Sequence, residues 1–491
     1  MQDKLVDFLD DTLFGNSASE DEDNTVFDAY KMERSEIKRF ISDEKLCIIK
    51  TLKGCGKSAV IRISEKVLSD SGNIVISLCL SDLTTNVESN DPDVWVKEWK
   101  KSLYIKIAET IGAQKDIPVD EYKDEVKKFS QSACLSDSNF IDSIKKLFSS
   151  ISALSLASKC LGTEAKVEIK RQVDGNNITK EQISNIISEY LSKKVFFLID
   201  DLDHNFINTG VVKSKIVGLL TACRYIANKT PLLKFRLTLR PNTWNIIKRE
   251  YPSMNSHINQ YIVELYWSRG QIKQLLTNRI TGYLKRNGET NLPTNAFALV
   301  FETGPWDKEI KEAHIPISSY AKCRPRWAKE IFKFAARHAQ SRNSRTISFD
   351  DIIEASNTFG ETAIVELCAE FCCEFEDIEK YINAFRGQYN SYKFDELIKT
   401  IKNRIIEPSP LSTRPQPKEV AQALFYCGFL YARENIDNIY KTYSFLEKPY
   451  LLTKDSLDDG KYEWEIDLIF RSYLEIKNKI HSVSKVKRRL F

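Results

Sequence analysis

The sequence predicts an α/β fold: a mainly parallel sheet with a helical insertion, followed by helices and a smaller carboxy-terminal module. Three observations predict it. Between residues 46 and 266, short continuous apolar runs alternate with amphipathic stretches, the pattern of strands covered on both faces by helices. The first run opens through a glycine turn into a helix. The third ends in a row of aspartates, and acids at that edge of such a sheet lie where ligands bind.

The elements follow in order. An acidic run, Glu20-Asp21-Glu22-Asp23, reads as a solvated loop, and a helical pattern continues through Phe27, Tyr30, Met32, Ile37 and Phe40. Residues 46–49 suit a buried strand and 59–68 a helix; 73–80 form a second strand. From 91 to about 193 the pattern is mainly helical, which places an insertion at about 91–179. Strands at 195–199, 235–239 and 261–265 follow, with a helix at 211–228 between the first two. Beyond Trp267 the strand signal fades into amphipathic helices at 271–285 and 326–340. Four prolines within 407–417 mark a break. After it come a helix at 418–424, strand-like runs at 443–446 and 462–466, and a helix at 467–474. A helix with a short hairpin suggests a winged-helix-like module. The expected organisation is an amino-terminal helical arm (1–45), a sheet core (46–266), a helical lid (267–345), a helical linker (346–410) and the winged-helix-like domain (411–491).

Composition excludes several classes. With 491 residues and 42% hydrophobic content the chain can bury large cores. Its 72 basic and 68 acidic groups leave a net charge of +4, too balanced for bulk charge to imply nucleic-acid binding. No apolar stretch approaches the roughly 18 residues that span a bilayer, and acids in residues 1–10 do not suit a secretory leader. A cytoplasmic protein without membrane contact is the expectation. Eleven cysteines are scattered without CxxC pairs; Cys368, Cys372 and Cys373 have helical spacing and are expected on a reduced core face.

Thr51-Leu52-Lys53-Gly54-Cys55-Gly56-Lys57-Ser58 carries the chemistry. Phosphate oxygens need several backbone N–H groups converging on them, and side chains larger than hydrogen obstruct that approach. Gly54 and Gly56 relieve this, and the helix beginning near Lys57 adds its N-terminal dipole. Lys53, Gly54, Cys55, Gly56, Lys57, Ser58 and Ala59 are therefore the nucleotide-binding candidates. Lys57 suits the β- and γ-phosphates and Ser58 a Mg²⁺ ion. Thr51 stands where glycine is usual.

The strand at 195–199 runs into Asp200-Asp201-Leu202-Asp203. Asp200 suits the magnesium surroundings through a coordinated water, Asp201 the polarisation of an attacking water, and Asp203 the N-cap of a following helix. His204 next to them reads as structural or solvent-facing. Arg240 at the end of the fourth strand, and Arg326 where a later helix begins, are candidates to sense charge on the terminal phosphate.

These residues resemble the bacterial STAND- and KAP-like P-loop ATPases of the AAA+ group. Lys53 through Ala59, Ile199 through Asp203, and Thr238-Leu239-Arg240-Pro241 carry the likeness, with Arg324-Pro325-Arg326 and Tyr266-Trp267-Ser268 fitting the same pattern over roughly residues 25–340. The resemblance implies an ATP- and Mg²⁺-dependent hydrolase acting as a conformational switch. It also implies self-assembly or a separate effector protein, in a group that often serves anti-phage defence. The core shows no guanine-reading Asn/Thr-Lys-x-Asp motif, which favours ATP. An alternative is a DNA-binding ATPase resembling replication initiators or transposition helpers, for which the winged-helix-like module and the basic tail Lys485-Val486-Lys487-Arg488-Arg489 speak. A third is a scaffold that binds nucleotide without hydrolysis.

Overall fold

The computed structural model describes residues 6–16, 21–30, 32–80, 83, 87–114, 194–203, 206–229, 232–302, 312–405, 415–437 and 439–479. Most of the expected insertion, His204, the start of the proline break and the basic tail lie outside these. Two compact units emerge: Glu33–Leu52 with Lys57–Leu265, and Met1–Met32 with Lys53–Gly56 and Tyr266–Phe491.

The first unit is the sheet. Helix α1 (Ser35–Phe40) leads into β1 (Leu46–Lys50), then α2 (Lys57–Asp70), β2 (Ile74–Cys79) and α3 (Pro92–Gln114). Strand β3 (Val195–Asp200), α4 (Gly210–Lys229), β4 (Leu233–Leu239), α5 (Pro241–Glu250), α6 (Pro252–Ile258) and β5 (Ile262–Glu264) complete it. The strand order is β2-β3-β4-β1-β5, and every pairing is parallel. Strands β3 and β4 are buried at every position, as strands with helices on both faces must be. Edge strand β2 alternates instead. Phe197 and Phe235 stack across the centre with ring centroids 5.0 Å apart.

Among the polar side chains inside this layer, Arg236 is the largest. Arg236 of β4 is wholly buried, and burial pushes its guanidinium down to about 10. It donates to the carbonyls of Phe40, Phe235 and Ser42, so the end of α1 is tied to the sheet through one guanidinium. Outside the sheet, α3 and α4 approach so closely at Gly218 that a Cβ there would fall 2.4 Å from that of Trp95. Trp99 Nε1 donates to the Lys215 carbonyl at 2.8 Å.

The second unit is helical with a small antiparallel sheet. Helix α7 (Arg269–Arg286) starts at a capping box of Ser268 and Gln271, which satisfies backbone donors that its first turn leaves open. Helices α8 (His314–Tyr320), α9 (Pro325–Ser341) and α10 (Phe349–Phe371) follow, with Trp327 of α9 edge-on to Phe359 of α10. Beyond them lie β6 (Ser391–Lys393), α11 (Phe394–Arg404), α12 (Pro417–Tyr426), β7 (Leu430–Ile436), β8 (Ile439–Tyr443) and β9 (Glu463–Ile466). The sheet order is β6-β9-β7-β8, all antiparallel. A carboxy-terminal helix with an antiparallel hairpin is thus present.

Four expectations are corrected. The helical pattern of residues 27–40 is two helices, Asn24–Tyr30 and α1. The acidic run is not merely solvated. Glu22 is buried, accepts the Asn16 N–H on both carboxylate oxygens at 3.1 Å and lies 3.9 Å from Arg279 Nη1. The cysteine group is not a core face: Cys372 is exposed, and Cys368 and Cys373 are half-buried. Helix α10 ends at Phe371, so the helical spacing that pointed inward stops before two of the three. The strand expected at 443–446 ends at Tyr443, because Ser444 opens a turn whose N–H is capped by Glu447 at 2.7 Å. Among the described residues, no helix is long and apolar enough to cross a membrane.

Candidate phosphate-binding site

Strands β1, β3 and β4 end at one edge of the sheet, in the registers Lys50 against Leu239 and Ile199 against Leu237. Each hands its chain to a candidate residue. After β1, Thr51 is buried; its N–H reaches the Leu239 carbonyl at 3.1 Å and its hydroxyl donates to the Leu265 carbonyl at 2.7 Å. The residue that replaces glycine thus fastens the loop entrance on both sides, and its polar atom is satisfied.

The loop then turns on Gly54 at φ +78 and Gly56 at φ +95, a region open to glycine at little cost. Helix α2 begins at Lys57, so the first N–H groups of α2, through Ala59, have no partner within the helix. Converging amides at a helix N-terminus form an anion cradle. The loop tip is held by its own unit. Lys53 N–H donates to Glu370 Oε1 at 2.8 Å, Trp267 Nε1 donates to the Cys55 carbonyl at 3.0 Å, and Arg326 N–H donates to the Gly54 carbonyl at 3.1 Å. A Cβ on Gly54 would come within 3.2 Å of Arg326 Cβ, so a side chain there would be crowded as well as strained in φ.

At the end of β3, Asp200 is buried, and its Oδ1 accepts from Thr238 Oγ1 and from the Asp201 N–H. Asp201 turns the chain at φ +52 and is half-buried. The decisive acid is Asp203, which is only 1% exposed. Its Oδ1 lies 3.4 Å from Lys57 Nζ and 3.4 Å from Arg240 Nε, while its Oδ2 accepts the Arg240 N–H at 2.5 Å. This corrects the reading of Asp203 as a simple cap: it is the carboxylate that joins the loop lysine to the arginine at the end of β4.

Arg240 and Lys57 thus share one partner, Asp203. Arg326 meets the loop differently. Its backbone and Cβ touch Gly54, whereas its guanidinium is a third exposed and 3.9 Å from Glu366. Sequence reasoning named Thr238 and Trp267 only within the motifs of the resemblance, without their contacts to Asp200 and Cys55, and it missed Glu370, which reaches Lys53 from 317 positions away. A third aspartate so close behind the strand was the one available signal for Asp203.

Among the described residues, no group of three or more His, Cys, Asp or Glu could hold a metal by itself. A magnesium ion arriving with a triphosphate needs only one or two protein groups, the rest being phosphate oxygens and water. Ser58 in the first turn of α2 and Asp200, whose two hydrogen bonds both fall on Oδ1, fit that smaller demand.

No protein-family model matches the sequence. A curated relative, "Putative transposon gamma-delta 80.3 kDa protein" of Escherichia coli (strain K12), is 23% identical over 212 residues, which is 42% of this chain and 29% of that protein. The chain thus spans under a third of that relative's length. Solved structures with partial likeness include the Aeropyrum pernix ORC2 protein in ADPNP–ADP complexes, at 12% identity and a TM-score of 0.37 over 79% of this chain and 81% of that one. Cdc6p from Pyrobaculum aerophilum gives 10% and 0.32 over 95% and 98%. The Aeropyrum pernix ORC1 protein in complex with DNA gives 12% and 0.32 over 90% and 91%. By its own geometry the chain is an α/β protein whose sheet edge joins a Gly-Lys-Ser loop to a buried aspartate and an arginine.

Proposed function

We propose that the protein binds ATP with Mg²⁺ on the loop Thr51–Ser58 and hydrolyses it as a regulatory switch of the AAA+ group. One observation carries the reading: Asp203 holds Lys57 and Arg240 together at the edge where β1, β3 and β4 end. A lysine and an arginine converging on one buried carboxylate are groups positioned for the charge of a phosphate chain. Lys57 would exchange Asp203 for phosphate oxygens, and Arg240 would follow the terminal phosphate. Magnesium supplies charge neutralisation on those oxygens; Ser58 and Asp200 are the residues to hold it. Asp201 orients the attacking water. Assembly with itself or with an effector protein belongs to this reading, through the resemblance to STAND- and KAP-like ATPases and their place in defence.

The test is Asp201→Asn. Phosphate release is expected to fall by about 100-fold or more, the lower range for removing a general base, with affinity for ATP close to that of the wild type. A variant that still turns over at the wild-type rate removes Asp201 from the chemistry, and a wild type that releases no phosphate favours a nucleotide-binding scaffold.

A second reading is a DNA-binding ATPase. Helix α12 followed by the β7–β8 hairpin, and a relative whose name places it in a transposon, support it. Duplex DNA should then bind with an affinity that falls steeply with salt, because phosphate contacts release counterions. Undetectable binding at low salt, with and without ATP, would remove this reading.

A further inference from the structure

Glu370 is a buried carboxylate in a place that disfavours its charge. It lies in the last turn of α10, where the helix dipole disfavours a negative charge. It is only 1% exposed, and a buried carboxylate is costly unless both oxygens are engaged. Both are. Oε2 pairs with Arg324 Nη1 at 2.8 Å, and Oε1 accepts the Lys53 N–H of the phosphate loop at 2.8 Å. Arg324 is itself buried against the Trp327 ring, 4.6 Å from its centroid, and Trp327 Nε1 donates to Glu366 at 2.6 Å, one turn earlier in α10. The carboxylate is thus fixed from behind before it reaches the loop.

The next two loop residues are held by their carbonyls, Gly54 by the Arg326 N–H and Cys55 by Trp267 Nε1. A trans peptide is planar, with N–H opposed to C=O. Holding the carbonyls of Gly54 and Cys55 therefore sets the directions of the Cys55 and Gly56 N–H groups, which belong to the cradle.

We propose that Glu370 is a positioning residue for the phosphate loop, so that nucleotide binding and the order of α10 are linked. The inference rests on the nucleotide reading of Thr51–Ser58. Linkage is reciprocal: whatever Glu370 adds to affinity, bound nucleotide must return as protection of α10.

The experiment compares wild type, Glu370→Ala, Glu370→Gln and the double variant Glu370→Ala/Arg324→Met, titrated with a non-hydrolysable ATP analogue and Mg²⁺ and followed by hydrogen exchange across Phe349–Phe371. The alanine variant should bind roughly ten-fold or more weakly, as expected for losing a charge-assisted hydrogen bond. The glutamine variant keeps the acceptor and should recover part of that loss. Nucleotide should slow exchange in α10 of the wild type and not of the alanine variant. The near-isosteric glutamine and the double variant, which removes the charge pair together, keep the test open if alanine alone unfolds. Folded variants that bind like the wild type, or a lower melting temperature with unchanged affinity, overturn the positioning role. A wild type that takes up no nucleotide overturns the underlying reading as well.

Discussion

Replacing Lys57 by alanine lowers affinity for an ATP analogue by at least about 100-fold, some 2.7 kcal/mol. The size follows from what the side chain does. Its ammonium is buried and is directed at Asp203, and no other lysine of the loop enters a helix N-terminus. Hydrogen bonds to charged groups contribute about 1.5–3 kcal/mol each when both partners leave water, and a lysine between two phosphates makes more than one. Alanine also leaves Asp203 to Arg240 alone, which lowers stability modestly without emptying the core, so circular dichroism should report a folded protein. Arginine at this position should not rescue binding, because its planar fork does not replace a compact ammonium. Titration calorimetry decides the matter: affinity within a few-fold of the wild type would mean that the loop is only a turn.

The largest effect on stability belongs to Arg236→Met, expected to cost about 3–5 kcal/mol. Two terms compete. Removing a buried cation relieves its desolvation, the same cause that pushes its titration down to about 10. Against this, the carbonyls of Phe40 and Ser42 lose a charged donor inside the protein, and an orphaned buried acceptor costs about 1–3 kcal/mol. The apolar stem of methionine preserves contact with the Phe196 ring, above which the guanidinium sits at 5.1 Å, but it cannot satisfy either oxygen. The second term wins because the acceptors are backbone and cannot be mutated away with the arginine. In a unit of this size the melting temperature should drop by about 10 °C. An unchanged melting curve would show that water takes over the donor role.

What the sequence disclosed and what it withheld divide along physical lines. All five strands of the parallel sheet were legible: β1, β3 and β4 because a strand buried on both faces is written as a continuous apolar run, and the edge strands β2 and β5 because they too are mainly apolar. The loop was legible because its parts are contiguous. The partners of Thr238, Asp203 and Glu370 were not, since register or tertiary packing brings each to its contact. Thr238 finds Asp200 across paired strands, and Glu370 finds Lys53 across most of the chain. Glu22 was misread for a related reason: an acidic run looks solvated until its basic neighbour, Arg279, is folded against it. Strand β7 was missed because Arg433, Glu434 and Asn435 break its apolar pattern, and the sheet accommodates them through Arg433 paired with Glu463 and Glu465.

The grouping of Lys53–Gly56 with the carboxy-terminal residues bears on how the molecule can be dissected. A chain cut after Leu265 retains every parallel strand, the Gly-Lys-Ser sequence and all three aspartates. It discards Trp267, Arg326 and Glu370, and with them the bonds that fix the tip of the loop. The segment that carries the motif is therefore not a self-sufficient module, and shuffling it onto another carboxy-terminal half would transplant the letters of the motif without the grip that shapes them.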